Sequence, residues 1–433
     1  MKFHSISKAI VPLAMLAGLG MSQAKAADLG GDCCADLEER IAELEATTVR
    51  KGNRKVSLKL SGQINSGVLY VDDGVQQDVY VVDNISSSSR FRLTGSAKIN
   101  SDWSAGFHFE VEYNRNGRSV DVKNIRGGDD SNTGTNNNGN TDGGIDIRRA
   151  SWYLKSKHLG KLRVGQTSFA TDDIGLITVG GDGVVSPDTI LWGRTIVTRN
   201  NTKAVAGDTL ASAFVPGLDT TARSNALRYD SPTIYGFTLS AAWGEDDVWD
   251  VAIRYAGEIA GFRIAGGVGY IESTDSISAT AGVTSRVGFN AVNSSGQNDS
   301  RVLGSISVMH VATGLFVNYA ANYGNDGSAL NYDTSIWDIR AGWYGKILPL
   351  GKTSIYGGYG QGTNDNPNLK INGAAVVATG QLQSDIYEAG IVQHIDAAAM
   401  ELYLAYKHYN LDAPGITGIN DQDYVFAGGR IKF

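Results

Sequence analysis

From Ser89 the chain reads SRFRLTGSAKIN, then SD, then WSAGFHFEVEYN, and apolar and polar residues alternate through both stretches. Phe91, Leu93, Gly95, Ala97 and Ile99 share one face; Arg90, Arg92, Thr94, Ser96 and Lys98 share the other. In the second stretch Trp103, Ala105, Phe107, Phe109, Val111 and Tyr113 oppose Ser104, His108, Glu110 and Glu112. A period of two with one apolar and one wet face predicts β-strands lying between two different environments. The pattern continues to the last residue, for example in Phe237, Leu239, Ala241 and Trp243, and in Trp337, Ile339, Ala341 and Trp343. With weaker segments near 56–70, 302–308 and 355–359, it predicts about sixteen strands, the even number that a closed antiparallel membrane barrel requires.

The predicted connections alternate as well. Short ones fall near 100–102, 156–160, 230–236, 257–261, 311–314, 349–351 and 395–397, and long Gly/Asn/Asp-rich ones at 73–88, 115–145, 166–223, 274–300, 324–334, 361–383 and 410–423. Only 244–247 breaks the rule. A soluble sheet also alternates, so the chemistry of the faces decides. The apolar face carries rings near the strand ends: Trp103, Phe237, Phe262 and Phe433 towards the short turns, Tyr113, Trp249, Tyr270, Tyr323 and Trp337 towards the long loops. Two aromatic girdles are expected where a bilayer meets water on each side. The wet face holds Arg90, Arg92, Lys98, Arg149, Lys161, Arg163, Arg228, Arg254, Arg263 and Arg340. Those charges predict a water-filled lumen, which a sheet of this strand number encloses.

The ends and the composition fit that picture. Lys2 and Lys8 precede an apolar run over residues 9–21 and the small-residue pattern Ala24-Lys25-Ala26, which predicts a secretory signal over residues 1–26. Its removal leaves 35 basic against 45 acidic residues, a net charge of −10, which argues against a nucleic-acid partner. Two Cys among 433 residues exclude a disulfide-built scaffold. Cys33 and Cys34, adjacent in sequence, either pair between subunits in an oxidising compartment or stay free. Within residues 27–54, Leu37, Ile41, Leu44 and Thr48 are spaced as two short heptads, which predicts a short periplasmic helical segment ahead of a barrel over residues 55–433. That helix either meets its copies as a small bundle or lies alone on its own barrel.

The mature chain resembles the general porins of alphaproteobacteria. The resemblance is carried by ADLGGDCCADLEERIAELEATTVRKGNRKVSLKLSGQIN, by SDWSAGFHFEVEYNR and GKLRVGQ, and by the terminal DYVFAGGRIKF, whose closing Phe433 resembles the signal read by barrel assembly machinery. It implies an outer-membrane trimer that passes small hydrophilic solutes and ions without catalysis or cofactor, in contact with membrane lipid and lipopolysaccharide. It also implies that the third external loop, here TDDIGLITVGGDGVVSPDTILWG over 171–193, folds into the barrel as a constriction. Its Gly-Gly-Asp resembles the loop tip of enterobacterial porins, although the Pro-Glu-Phe that usually precedes it is absent.

On that reading Ile174, Leu176, Ile177, Val184 and Val185 pack against one wall while Asp172, Asp173, Asp182 and Asp188 face the pore, with Gly180, Gly181 and Gly183 supplying unusual backbone angles at the tip. Arg90, Arg92, Arg149 and Arg163 are the expected wall residues, setting a field across the narrowest water. The sign of the ion preference stays open, since the loop acids and the net charge favour cations and the arginines oppose them. Three rivals remain. A substrate-specific channel would stack aromatics along the lumen, with Tyr153, Tyr344, Tyr356 and Tyr403 available. A barrel enzyme would start from His108 and Glu110, one strand repeat apart, but no matching nucleophile accompanies them. A structural anchor would work through the helix at 32–48. The six His show no metal-ligand spacing, and GGYGQG at 357–362 has no helix pattern after it.

Overall fold

The computed structural model describes residues 55–114, 144–185, 197–200, 202, 208–209, 211–219, 223–244, 248–273, 299–325 and 332–433. The expectations for 1–26 and 27–54, for Cys33 and Cys34, for Asp188 and for most of the 115–145 connection lie outside these residues. The described strands are β1 (Ser57–Asp72), β2 (Gln77–Asp83), β3 (Arg90–Lys98), β4 (Trp103–Asn114), β5 (Gly144–Ser156), β6 (Gly160–Ser168), β7 (Arg223–Asp230), β8 (Phe237–Gly244), β9 (Val248–Ile259) and β10 (Phe262–Ser273). They continue with β11 (Asp299–His310), β12 (Leu315–Asn325), β13 (Asp333–Gly345), β14 (Thr353–Asn364), β15 (Asn368–Ile371), β16 (Ala374–Val377), β17 (Leu382–Ile395), β18 (Met400–Asp412) and β19 (Gln422–Lys432).

Each strand pairs antiparallel with its neighbour, and β1 pairs with β19 from Gln63↔Lys432 to Asp72↔Asp423, so the sheet closes on itself. Along its other edge β1 meets β3 with its first half and β2 with its second, which makes β2 and β3 two pieces of one stave. The barrel therefore has sixteen staves, while β15 and β16 form a separate hairpin in the connection after β14. Closure leaves no open edge, which membrane-spanning strands require because lipid offers no hydrogen bonds.

The break at 84–89 corrects the sequence reading, which placed a long loop over 73–88. Only 73–76 connects β1 to β2, and the carboxylate of Asp73 accepts from the N–H groups of Val75 and Gln76 to hold that turn. The break is held in turn by Asn84, whose side chain accepts from Ser86 N–H, and by hydrogen bonds from Gln63 and Asn65. At the opposite end the turns are tight: Tyr235-Gly236 and Ala260-Gly261 both have positive φ at two successive residues, the geometry that matches the twist of a two-residue hairpin.

The outward face is apolar and exposed, as in Val81, Leu239, Trp243 and Val268. Ring contacts gather at its two rims: Trp249 with Tyr270 and Trp337 with Tyr359 towards the long connections, Phe237 with Tyr255 and Phe262 with His310 towards the short turns. Among the described residues no helix is long and apolar enough to cross a membrane.

The inward face is not uniformly wet. Leu69 and Val71 of β1, Tyr80 and Val82 of β2, Leu382 and Ile386 of β17, Tyr409 and Leu411 of β18, and Tyr424 and Phe426 of β19 are buried against Val184, Val185, Val197, Phe214, Val215 and Leu218 of the β6–β7 connection. One sector of the barrel interior is thus a hydrophobic core. The alternation could not announce it, because in these halves of β1, β2 and β19 both faces are apolar, and in β17 and β18 the apolar residues change to the inward face.

Candidate functional site

The β6–β7 connection leaves the wall at Phe169 and crosses to the opposite strands by hydrogen bonds to inward-facing side chains. Thr171 is fixed first: its N–H and hydroxyl both donate to one carboxylate oxygen of Asp250, at 2.6 and 2.7 Å. Arg228 and Arg254 donate to the carbonyls of Phe169, Ala170 and Asp172. Further along, Ser305 donates to the carbonyl of Ile174, and Ser307 accepts from the N–H of Val179. These bonds satisfy backbone groups that an irregular buried segment would otherwise leave unpaired.

Apolar contacts alternate with these polar ties. Ile174 and Ile177 join Phe169, Ala226, Ala252, Ile271 and Leu303 in one cluster, and Leu176, Val184 and Val185 join the larger core. At the tip only Gly181 of the three glycines has positive φ, 74°. A Cβ there would also lie 2.5 Å from the Tyr344 ring, and one on Gly180 would lie 2.5 Å from Phe316, so Gly180 serves close approach rather than backbone angle.

Asp182 is fully buried and does not face open water. Its carboxylate lies 3.0 Å from a terminal nitrogen of Arg340, with Thr178 and Asn318 as further donors. Arg340 in turn holds Asp338 at 2.8 Å and Glu388 at 3.2 Å, and Glu388 meets Lys407 at 3.4 Å. This network fastens the loop tip to β13, β17 and β18, while His394 of β17 contacts the carbonyl of Gly181 at 3.1 Å. Asp172 is buried at the other end of the loop, 3.1 Å from Arg223 and 3.7 Å from Arg149. Burial, then the neighbouring Asp173, push its carboxyl above the usual carboxylate range against the pull of Arg223. Asp173 is exposed and has a left-handed backbone, and its N–H donates to Asp219 at 2.7 Å.

The expected wall arginines assemble around Glu110, which is entirely buried. Arg92 reaches it at 2.6 Å, Arg90 at 3.8 Å and Arg149 at 3.9 Å. Arg163 sits apart from that group and pairs with Asp230 at 3.0 Å beside Arg228. The sequence reading missed Arg148, which two-residue alternation assigns to the outward face. The register slips between Glu110 and Val111, so that Glu110 faces Arg149 but Val111 faces Ile147, and the bulged Arg148 turns inward to bind Glu110 at 2.9 Å and also Glu112. The doubled Arg148-Arg149 within an otherwise alternating strand was the available signal.

The rival readings meet this geometry directly. His108 is 3.5 Å from Glu110, a carboxylate already engaged by four arginines. Tyr356 and Tyr403 are buried, and Tyr403 donates to Asn65. Tyr153 is covered by Lys161, whose ammonium lies 4.0 Å from the ring centre. Among the described residues one trio of carboxylates, Asp172, Asp173 and Asp219, lies within 4.8 Å in its ligand atoms, but Arg149 and Arg223 already engage Asp172.

A closed sixteen-stave barrel, apolar outside with aromatic rims and charged within, defines an outer-membrane channel. The chain belongs to the Gram-negative porins, whose family model matches residues 13–414, a family of channels rather than enzymes. Its fold is similar to that of an anion-selective porin from Comamonas acidovorans, with a TM-score of 0.52 at 14% identity over 87% of this chain and 100% of that one. It is similar to a loop L8 deletion mutant of OmpT, an outer-membrane protein of Vibrio cholerae, with a TM-score of 0.51 at 11% identity over 88% and 100%. It is also similar to Salmonella typhi OmpF in complex with daunomycin, with a TM-score of 0.50 at 13% identity over 88% and 99%. At these identities the likeness is one of fold. No curated protein matches the chain in sequence.

Proposed function

We propose that the protein is a general diffusion porin whose third external loop forms the constriction, leaving a water path along the arginine-bearing wall. The observation that carries this reading is the division of the interior: Val184, Val185, Val197, Phe214, Val215 and Leu218 of the loop pack a hydrophobic core against β17 to β2, whereas Arg90, Arg92, Arg149 and Arg163 keep exposed surface on the other side. Passage then needs only a wet route whose charges bind weakly enough to release. The acids Asp172 and Asp182 act in it as fastenings for the loop, and Asp173 is its water-facing carboxylate. The burial of Tyr356 and Tyr403 removes two of the four aromatics that a substrate-specific channel would stack along its lumen.

The same reading includes export through a cleaved signal over 1–26, a periplasmic segment over 27–54, assembly as a homotrimer, contact with lipopolysaccharide, and membership of the alphaproteobacterial branch. A structure of the Vibrio cholerae OmpT described as its trimer form, at a TM-score of 0.50, supports trimerisation by analogy. The test is single-channel recording in planar bilayers together with swelling of proteoliposomes in uncharged sugars of rising size. Ohmic steps in groups of three and a smooth size cut-off are expected. Saturation by one sugar would favour a substrate-specific channel, and the lack of any steps from folded protein would remove the channel reading.

A further inference from the structure

The stave that β2 and β3 share is interrupted by Asn84-Ile85-Ser86-Ser87-Ser88-Ser89. Asp83 pairs with Ser66 and Arg90 with Gln63, so six residues, 84–89, stand opposite two, 64–65, of β1. A β-bulge adds one residue to a strand, so this excursion is larger than a bulge. We infer, resting on the diffusion-porin reading, that the surplus is a second lip of the constriction, an uncharged wedge pushed inward from the wall that limits solute size together with the loop.

The residue types make the break. Asn and Ser side chains compete for the backbone hydrogen bonds that a strand ladder needs. Here the Asn84 side chain accepts from the N–H of Ser86 and starts a single 3₁₀ turn over Ile85–Ser87. The backbone so displaced is paired from the neighbouring strands, as an irregular buried segment requires. The carbonyl of Ser87 accepts from Gln63 at 2.7 Å and from Asn65 at 2.9 Å, and that of Ser88 accepts from Gln63 and Arg90, both at 2.9 Å.

The partners fix the direction of the excursion. The hydroxyl of Ser87 accepts from Arg430 of β19 at 2.6 Å, on one side of β1, and the hydroxyl of Ser88 donates to Glu112 of β4 at 2.7 Å, on the other. Both partners face inward: Arg430 shares the two-residue phase of buried Tyr424 and Phe426, and Glu112 pairs with Arg90. An excursion over the lipid face could reach neither, and lipid would leave its polar backbone unpaired. Asn84 also donates to the carbonyl of Val184 at 2.9 Å, so wall and loop touch beside the loop tip. Asn84, Ser88 and Ser89 are buried, while Ile85, Ser86 and Ser87 keep partial exposure, so the turn is the part that meets the lumen water.

The test measures single-channel conductance, and swelling of proteoliposomes in uncharged sugars of rising size, for the full-length wild type, a deletion of residues 85–88, and Ile85→Trp. The deletion removes an even number of residues, so Asn84 and Ser89 come to stand opposite Asn65 and Ile64 and Arg90 keeps its inward face. It should raise conductance and shift the cut-off to larger sugars, whereas Ile85→Trp should lower both. Opposite shifts from opposite changes in bulk separate a lip from a loosened loop, which would widen the pore in either variant. Conductance and cut-off unchanged in the folded deletion, or a wider pore in Ile85→Trp, would overturn the inference while leaving the porin reading in place. If the deletion does not fold, Ile85→Trp decides alone, and conductance at or above wild type overturns the lip. No channel steps from folded wild type would overturn both.

Discussion

The inward faces of β3 to β7 and of β17 to β2 arise from the same two-residue alternation, yet they end in opposite environments. One carries arginines above buried carboxylates. The other carries Leu69, Val82, Ile386, Tyr424 and Phe426, sealed by Phe214 and its neighbours. The comparison teaches that strand parity settles which way a side chain points, while a loop decides whether that direction leads to water or to a core. The β6–β7 connection runs between the two sectors, tied near its start to β7 by Arg228 and to β9 by Asp250 and Arg254, and at its tip to β13 by Arg340.

The strongest way to break the comparison is Arg340→Met, which leaves Asp182, Asp338 and Glu388 buried without their shared cation. A loss of about 3–5 kcal/mol is expected from removing one partner of a buried ionic cluster. Denaturant unfolding of the folded barrel measures it, and an unchanged midpoint would show that the cluster is no fastening. Phe214→Ala attacks the packed sector itself. It should cost about 3 kcal/mol, the lower end for a buried Phe because a loop can partly collapse into the space. Single-channel conductance should rise as water enters, and unchanged conductance would mean that the packed sector does not bound the pore.

Glu110→Gln sharpens the charged side. It removes the carboxylate that four arginines share, so the reversal potential in a salt gradient should move towards anions. The stability cost should be about 2 kcal/mol, because the exposed arginines can rehydrate. A shift towards cations would contradict the placement of Glu110 beneath them. The smallest effect is expected from Asp182→Asn, which is nearly isosteric and buried behind Arg340. Its reversal potential should stay closer to wild type than that of Glu110→Gln. A larger displacement would mean that Asp182 reaches the open water after all.

Much of the architecture is legible in the sequence. The alternation in SRFRLTGSAKIN and WSAGFHFEVEYN emerges as β3 and β4, and the short connections return as turns. Loop placement was legible from Asp-rich and Gly-rich composition, but the break between β2 and β3 was not, because local hydrogen bonds from Asn84, Gln63 and Asn65 hold it. Arg148 was hidden for a related reason, since a bulge shifts the register without changing residue type.

What the sequence by itself determined is what repeats along it. Period two sets strands, an apolar outer face and aromatic rims, because those depend only on each residue's neighbours and on the bilayer. What only the tertiary structure decided is how distant charges are matched. Asp182 meets Arg340 across 158 positions of chain, and Thr171 meets Asp250 across 79. Desolvation makes a buried carboxylate tolerable only beside such a partner. No local pattern records which partner the closed barrel brings within reach, and that choice turns two of the expected pore acids into the ties that hold the loop.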